Sequence, residues 1–298
     1  MAALQLPPSS GRRHGTMPVV AWLLMVAMAA TAVASALYEQ TEQTWGSDHS
    51  FYYMDGGDAT LALCLDESHG SGFQSKNKFL YGRFDIEIKL VDGNSAGTVT
   101  TLYLMPDDVP WERHDEVDFE FLGNVTGEPY TLHTNVFVGG VGHRVQQFRL
   151  WFDPTTDFHT YSIIWNPKHI IFLVDGVPIR DFRRDPAGGE PFPTWQRMRL
   201  YGTLWDADDW ATQGGRVKTD WTQSPFYAYY RNFTVTPCSP SPGVAWCGDE
   251  PPESAHFDEG LDAAALQQAR AQYMIYSYCW DQNRFKDGNG RPVECTSS

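Results

Sequence analysis

Cysteine is scarce over most of this chain of 298 residues: Cys64 stands alone until Cys238, and four of the five cysteines fall in the last quarter. No grouping of Cys and His has a zinc spacing, and G-x-S-x-G and phosphate-loop patterns are missing, which leaves serine-hydrolase and kinase readings without support. Basic charge is short as well, with 22 Lys and Arg against 37 Asp and Glu for a net −15, and past residue 36 the balance is 20 against 37. Such a surface repels phosphate backbones and argues against nucleic acid as a partner. Internal repeats are absent and helical periods few. After the N-terminus no apolar run is long enough to span a bilayer.

What the chain does have is aromatic residues, 14% of it, with 11 Trp. That exceeds what an ordinary core requires, and an indole, with its apolar face and polar edge, suits stacking on sugar rings. At the start, Arg12 and Arg13 precede an apolar run from Val19 to Val33, and Ala34-Ser35-Ala36 supplies the small residues of a cleavage site. Residues 1–36 read as a secretory signal peptide; a retained membrane anchor is the competing reading, disfavoured by the shortness of the run. Export means an oxidising compartment, so disulfides are expected among Cys238, Cys247, Cys279 and Cys295, for which three pairings exist. Cys64, inside the apolar run Leu61–Leu65, reads as a buried, inert thiol.

Short alternating segments set the fold class. Phe84, Ile86, Ile88 and Leu90 share one face of a strand, and Asp85, Glu87 and Lys89 share the other. Leu61–Leu65, Gly97–Leu104, Tyr161–Trp165, Ile170–Val174, Met198–Trp205 and Tyr227–Val235 read as further strands, and Asp175-Gly176 is a hairpin signal. This pattern predicts an all-β sandwich. From Cys238 the composition shifts to a Pro-containing loop and an acidic spacer. Leu266, Ala269 and Tyr273 then recur at helical spacing, predicting an amphipathic helix from Leu261 to about Tyr276.

The stretch that organises the chain is His114-Asp115-Glu116-Val117-Asp118-Phe119-Glu120-Phe121. As a strand it points Val117, Phe119 and Phe121 to one side and His114, Glu116, Asp118 and Glu120 to the other. Carboxylates in line repel one another and weaken a strand that only has to pack. On a twisted, concave sheet, Glu116 and Glu120 can lean to the ~5–5.5 Å separation of a retaining glycosidase, with Asp118 between them. Shared protons then predict one carboxyl that titrates high and serves as an acid, and another that is ionised as a nucleophile. A solvated acidic face and a calcium site built from oxygen ligands are the competing readings. His114 reads as a hydrogen-bonded structural residue.

The stretch HDEVDFEFLGN, followed by Thr134-Asn135-Val136-Phe137, Leu150-Trp151-Phe152-Asp153-Pro154, Trp205-Asp206-Ala207-Asp208-Asp209-Trp210-Ala211-Thr212 and a cysteine-bearing tail, resembles the xyloglucan endotransglucosylase/hydrolases of glycoside hydrolase family 16. The resemblance implies a curved jelly-roll β-sandwich, concanavalin A-like, over residues 37–237. A small disulfide-tied extension containing a helix follows over 238–298. It also implies Glu116 as nucleophile, Asp118 as the residue that orients and tunes it, and Glu120 as general acid, then base; the residues alone do not say which Glu does which. The sequence-local pairing, Cys238 with Cys247 and Cys279 with Cys295, agrees with it. Substrate contacts carried over are Glu120, His133, Thr134, Asn135, Asp209, Trp210, Gly214 and Arg284, with His133 standing where relatives have Gln. Trp205 suits a sugar ring, core packing being its competitor. His143-Arg144-Val145 stands where relatives carry Asp-Arg-Glu and lacks both acids. Asn124, in the sequon Asn124-Val125-Thr126, matches the family's glycan position and is favoured over Asn232.

The implied activity is cleavage of the β-1,4-glucan backbone of xyloglucan, with retention through a covalent glycosyl-enzyme, and transfer to a second xyloglucan chain. The setting is the cell wall and apoplast. The enzyme is expected to be a monomer, with no cofactor, no metal and no membrane contact after signal cleavage. Transfer is favoured because Val138-Gly139-Gly140-Val141-Gly142 lacks the longer insertion associated with the hydrolytic branch. Predominant hydrolysis and a calcium-dependent glucan-binding lectin are the alternatives.

Overall fold

Residues 37–185, 187, 189, 191–249, 255–281, 283 and 292–296 are described by a computed structural model; the signal peptide read at 1–36 and Arg284 lie outside the described residues. The strands in chain order are β1 (Thr41–Trp45), β2 (Ser50–Asp55), β3 (Asp58–Leu65), β4 (Ser71–Ser75), β5 (Gly82–Lys89), β6 (Thr98–Met105), β7 (Glu116–Leu122) and β8 (Thr131–Phe137). They continue with β9 (Gln146–Phe148), β10 (His159–Trp165), β11 (His169–Val174), β12 (Val177–Arg183), β13 (Arg199–Asp206), β14 (Phe226–Pro237) and β15 (Met274–Ser277). Helix α1 (Ala263–Tyr273) precedes β15, and a helical turn covers Val293–Thr296.

Two antiparallel sheets result, an eight-stranded one in the order β1-β4-β13-β6-β7-β8-β9-β15 and a seven-stranded one in the order β12-β11-β10-β5-β14-β3-β2. Together they make a jelly-roll sandwich around one core. The alternation read in β5 buries Phe84, Ile86 and Ile88 completely and turns Asp85 and Glu87 outward. On β7, Val117, Phe119 and Phe121 are likewise buried without remainder. Phe119 meets Phe172 of β11 edge-on with ring centres 5.1 Å apart, and Phe121 meets Tyr161 of β10 at 4.6 Å. Each buried ring stabilises the fold by about 1.5–3 kcal/mol, and slipping β7 by one residue would exchange these rings for carboxylates. The hydrophobic face therefore fixes where the acids point.

Asp175 and Gly176, with φ of 48° and 75°, form the tight turn between β11 and β12 that their dipeptide signalled. Two expectations need correction. The acidic strand begins at Glu116, because Pro110 opens a short 3-10 turn over Trp111–Arg113 that delivers His114 from the side. The predicted helix stops at Tyr273, and Met274–Ser277 instead pairs with the edge of β9 as the eighth strand. Asp262 caps α1 by accepting from the Ala264 and Ala265 amides at 3.0 Å. The helix lies against β12 and buries Leu266 and Ala269.

Disulfides join Cys238 to Cys247 and Cys279 to Cys295, and Cys64 is a buried free thiol. Among the described residues no helix is long and apolar enough to cross a membrane.

Candidate active site

A groove of about 430 Å³ lies on the face of the eight-stranded sheet turned away from the core. β7 sits between β6 and β8 and lays Glu116, Asp118 and Glu120 along its floor. The cross-strand register places Phe137, Asn135 and His133 of β8 opposite these three acids in turn. Trp45 of β1, Trp111 and Trp205 of β13 line the walls, which gives the groove apolar plates beside its acids.

Glu116 and Glu120 keep part of their side chains exposed, whereas Asp118 is buried. Burial drives the Asp118 carboxyl well above its ordinary range; the charge of Glu116, a hydrogen bond to it and the charge of Glu120 push the same way, and Arg180 opposes them. A protonated Asp118 donates to Glu116. The sequence reading gave the held proton to a flanking catalytic acid; desolvation puts one on the deepest carboxyl of the row.

His114 supplies a second donor. Its Nδ1 faces the Trp111 carbonyl, which can only accept, so the ring carries its proton there. Its Nε2 lies 2.7 Å from Glu116 Oε2, and this hydrogen bond to Glu116 raises the imidazole's affinity for a second proton. When the ring holds that second proton, Glu116 accepts from His114 on one side and from Asp118 on the other. His114 is buried and stacks on Trp111 with ring centres 4.2 Å apart. The hydrogen-bonded structural role expected of His114 is thus that of a brace on the row's first acid.

Asp118→Asn tests the middle carboxyl. A native carboxyl that holds its proton above the unfolded range makes folding take up a proton, so wild-type stability falls as pH rises through that range. Asparagine, neutral throughout, carries no such loss. The variant is expected to melt higher than wild type, by a margin that widens from pH 4 to 7. Its turnover should fall about 10²-fold because Glu116 is less well held. Melts across that range, paired with rate assays, check both signs.

The other expected contacts divide. Asn135 and Trp205 line the groove. His133 Nδ1 stands 3.7 Å from Glu120 Oε2, while its Nε2 meets the Gln147 amide at 2.9 Å. Trp210 carries the wall onward, its ring 6.2 Å from Trp205 and 6.3 Å from His133, and Asp209 and Gly214 are exposed on the same loop. Thr134 points the opposite way: it is buried, and Arg180 donates to its carbonyl at 2.8 Å and its hydroxyl at 3.1 Å. Arg144 is buried too, and its guanidinium is bonded to the carbonyls of Val136 and Val141 at 3.2 and 2.6 Å, so it braces the hairpin. His143 is exposed and Val145 half-buried, and neither lines the groove. The Asn124 side-chain amide donates to the Pro129 carbonyl at 3.1 Å in the turn after β7, whereas that of Asn232 is engaged with Glu87 at 2.9 Å. Sequence reasoning does not find Trp45 and Tyr103, which reach the groove from β1 and β6, or Trp111, which the turn just before the acid strand folds over the groove.

This geometry has counterparts. The family model described as glycosyl hydrolases family 16 matches residues 37–223, and that of the xyloglucan endo-transglycosylase C-terminus matches 255–295. Xyloglucan endotransglucosylase/hydrolase protein 15 of Arabidopsis thaliana is 50% identical over 290 residues, 94% of this chain and 96% of its own length. Xyloglucan endotransglucosylase protein 1 of Diospyros kaki is 50% identical over 280 residues, 92% and 93% of the two chains. Among solved structures, the Crh5 transglycosylase in complex with NAG superposes with a TM-score of 0.55 at 25% identity, covering 70% of this chain and 83% of that one.

Proposed function

Since this chain belongs to glycosyl hydrolases family 16, and within it to the xyloglucan endotransglucosylase/hydrolases, retaining enzymes that cleave or transfer glycan chains, we propose that it acts mainly as a transferase on xyloglucan. The observation that carries the chemistry is the row Glu116, Asp118 and Glu120 on the floor of one groove. Glu116, held by His114 and Asp118, attacks the anomeric carbon as Glu120 gives its proton to the departing glycosidic oxygen. The product is a covalent glycosyl-enzyme. Glu120, now a base, takes a proton from an incoming hydroxyl, which displaces Glu116 and restores the original configuration.

The choice between a sugar hydroxyl and water is an acceptor-binding question, because an oriented hydroxyl gains a large effective concentration over solvent. Transfer is supported by the shortness of the hairpin after β8. Val138 and Val141 pair directly across Gly139-Gly140, whose φ values of 59° and 79° close a two-residue turn. The Gly140 amide donates to the His114 carbonyl at 2.7 Å and the Gly139 amide to Asp115 at 2.9 Å, tying this turn back beside the acid strand. The remaining assignments follow the same reading: a leader at 1–36, a catalytic unit at 37–237, an extension at 238–298, a glycan on Asn124, and secretion to the cell wall and apoplast.

Xyloglucan incubated with a labelled xyloglucan oligosaccharide decides the matter. Label is expected to enter polymer with little new reducing end. Steady loss of polymer length without incorporation would show a hydrolase instead.

A further inference from the structure

Two turns that meet beyond the Trp45 wall of the groove carry a cluster that the reaction does not use. Asp48 and His49 lie between β1 and β2, and Asp66, Ser68 and His69 between β3 and β4. The turns are in close contact: a Cβ on Gly46 would lie 2.2 Å from the Gly70 carbonyl oxygen. His69 Nε2 is 3.2 Å from Asp48 Oδ1, and His49 Nδ1 is 3.5 Å from the same oxygen. One donor atom from each of Asp48, His49 and His69 falls within 4.8 Å of the others. Ligands about 2.0–2.1 Å from a tetrahedral Zn²⁺ stand roughly 3.3–3.4 Å apart, which is the scale of these separations.

We propose that Asp48, His49 and His69 form a site for a divalent transition cation of the zinc class, with a water completing the tetrahedron. Two observations beyond proximity support it. His49 Nδ1 is buried with no hydrogen-bond partner, although most buried polar atoms find one. The cause lies on the other side of the ring: Nε2 is 2.8 Å from Asp66 Oδ2, which can only accept, so the neutral ring carries its proton on Nε2 and turns its Nδ1 lone pair toward Asp48. That carboxylate–histidine arrangement is how proteins orient an imidazole toward a metal.

Asp66 also holds the second imidazole in place. It accepts from the Ser68 hydroxyl at 2.5 Å, and Ser68 Oγ lies 2.9 Å from His69 Nδ1, which leaves Nε2 for the site. One carboxylate thus orients both rings, whose centres are 3.9 Å apart. Two imidazoles and one carboxylate select a borderline-soft cation over calcium, which requires six or more oxygens. Such an ion would cross-link the two turns next to the strand that carries Trp45. It would supply nothing to glycan cleavage, since the acid row lies on the groove floor.

The test is calorimetric titration of the metal-free secreted-form protein with ZnCl₂, beside CaCl₂, in wild type and in His69→Ala and Asp48→Asn. Both substituted side chains are exposed enough for the variants to fold. The expected result is one Zn²⁺ per chain, at least about tenfold weaker binding in each variant, no heat from calcium, and a zinc-dependent rise in Tm that His69→Ala removes. Absence of saturable zinc binding overturns the proposal, as does a zinc isotherm that both variants leave unchanged.

Discussion

Glu116→Ala is expected to abolish transfer and hydrolysis together, by at least about 10⁴-fold, while leaving the melting temperature close to wild type. The stability expectation rests on position: the side chain is partly exposed over the groove, and its removal takes one negative charge from a crowded row. The activity expectation rests on the covalent step, which has no second route once the attacking oxygen is gone. Azide makes the assignment testable. In Glu116→Ala a small anion fits the vacated space and displaces the leaving group directly, giving a glycosyl azide of inverted configuration. In Glu120→Ala the nucleophile is intact, so a substrate with a good leaving group still forms the glycosyl-enzyme, and azide then resolves it with net retention. Loss in Glu120→Ala on unactivated substrate should be smaller, about 10²–10⁴-fold. The opposite pattern of azide products would exchange the two roles. Residue pattern alone leaves the two glutamates interchangeable; the proposal that Glu116 is the nucleophile is supported by the donors converging on it from His114 and Asp118.

How much could be read beforehand depended on whether the relevant physics was local. The period of two in Glu116–Phe121 fixed a face of acids because the opposite face is core, and Asp175-Gly176 fixed a turn because few residues accept positive φ twice in succession. The same alternation, carried across to β8, would have removed Thr134 from the contact set. It pairs with Phe119, on the core side, while His133 and Asn135 pair with Glu120 and Asp118. Reading the triplet whole overrode that rule. Other features were not local. Met274–Ser277 continues a helical run in sequence, and only the open edge of β9 makes it a strand. Arg144 and Arg180 count as surface charges in a composition, yet both are buried on backbone carbonyls that the chain reaches only after folding.

Glu294→Ala is expected to cost about 3–5 kcal/mol, a fall in Tm of roughly 6–15 °C, although residue 294 lies far along the chain from the acids. Its carboxylate is fully buried against Arg180 of β12, with contacts of 2.7 and 3.1 Å, and accepts from the Tyr278 hydroxyl at 2.6 Å. Arg180 in turn donates to Thr134 of β8, the strand paired with the acid row, so the tail is bolted to the back of the groove floor. Removing the glutamate leaves a buried guanidinium with no counter-charge, and that uncompensated charge dominates the loss. Glu294→Leu combined with Arg180→Leu should recover much of the stability, because exchanging both members of a buried pair for apolar groups is close to neutral where exchanging one is not. Arg180 also opposes the upward push on the Asp118 carboxyl, so the double variant should hold the Asp118 proton more tightly still and carry the fall of stability on to higher pH. Thermal melts of the single and double variants at two pH values check all three statements. A single variant that melts with wild type would show that the tail does not support the groove through this pair.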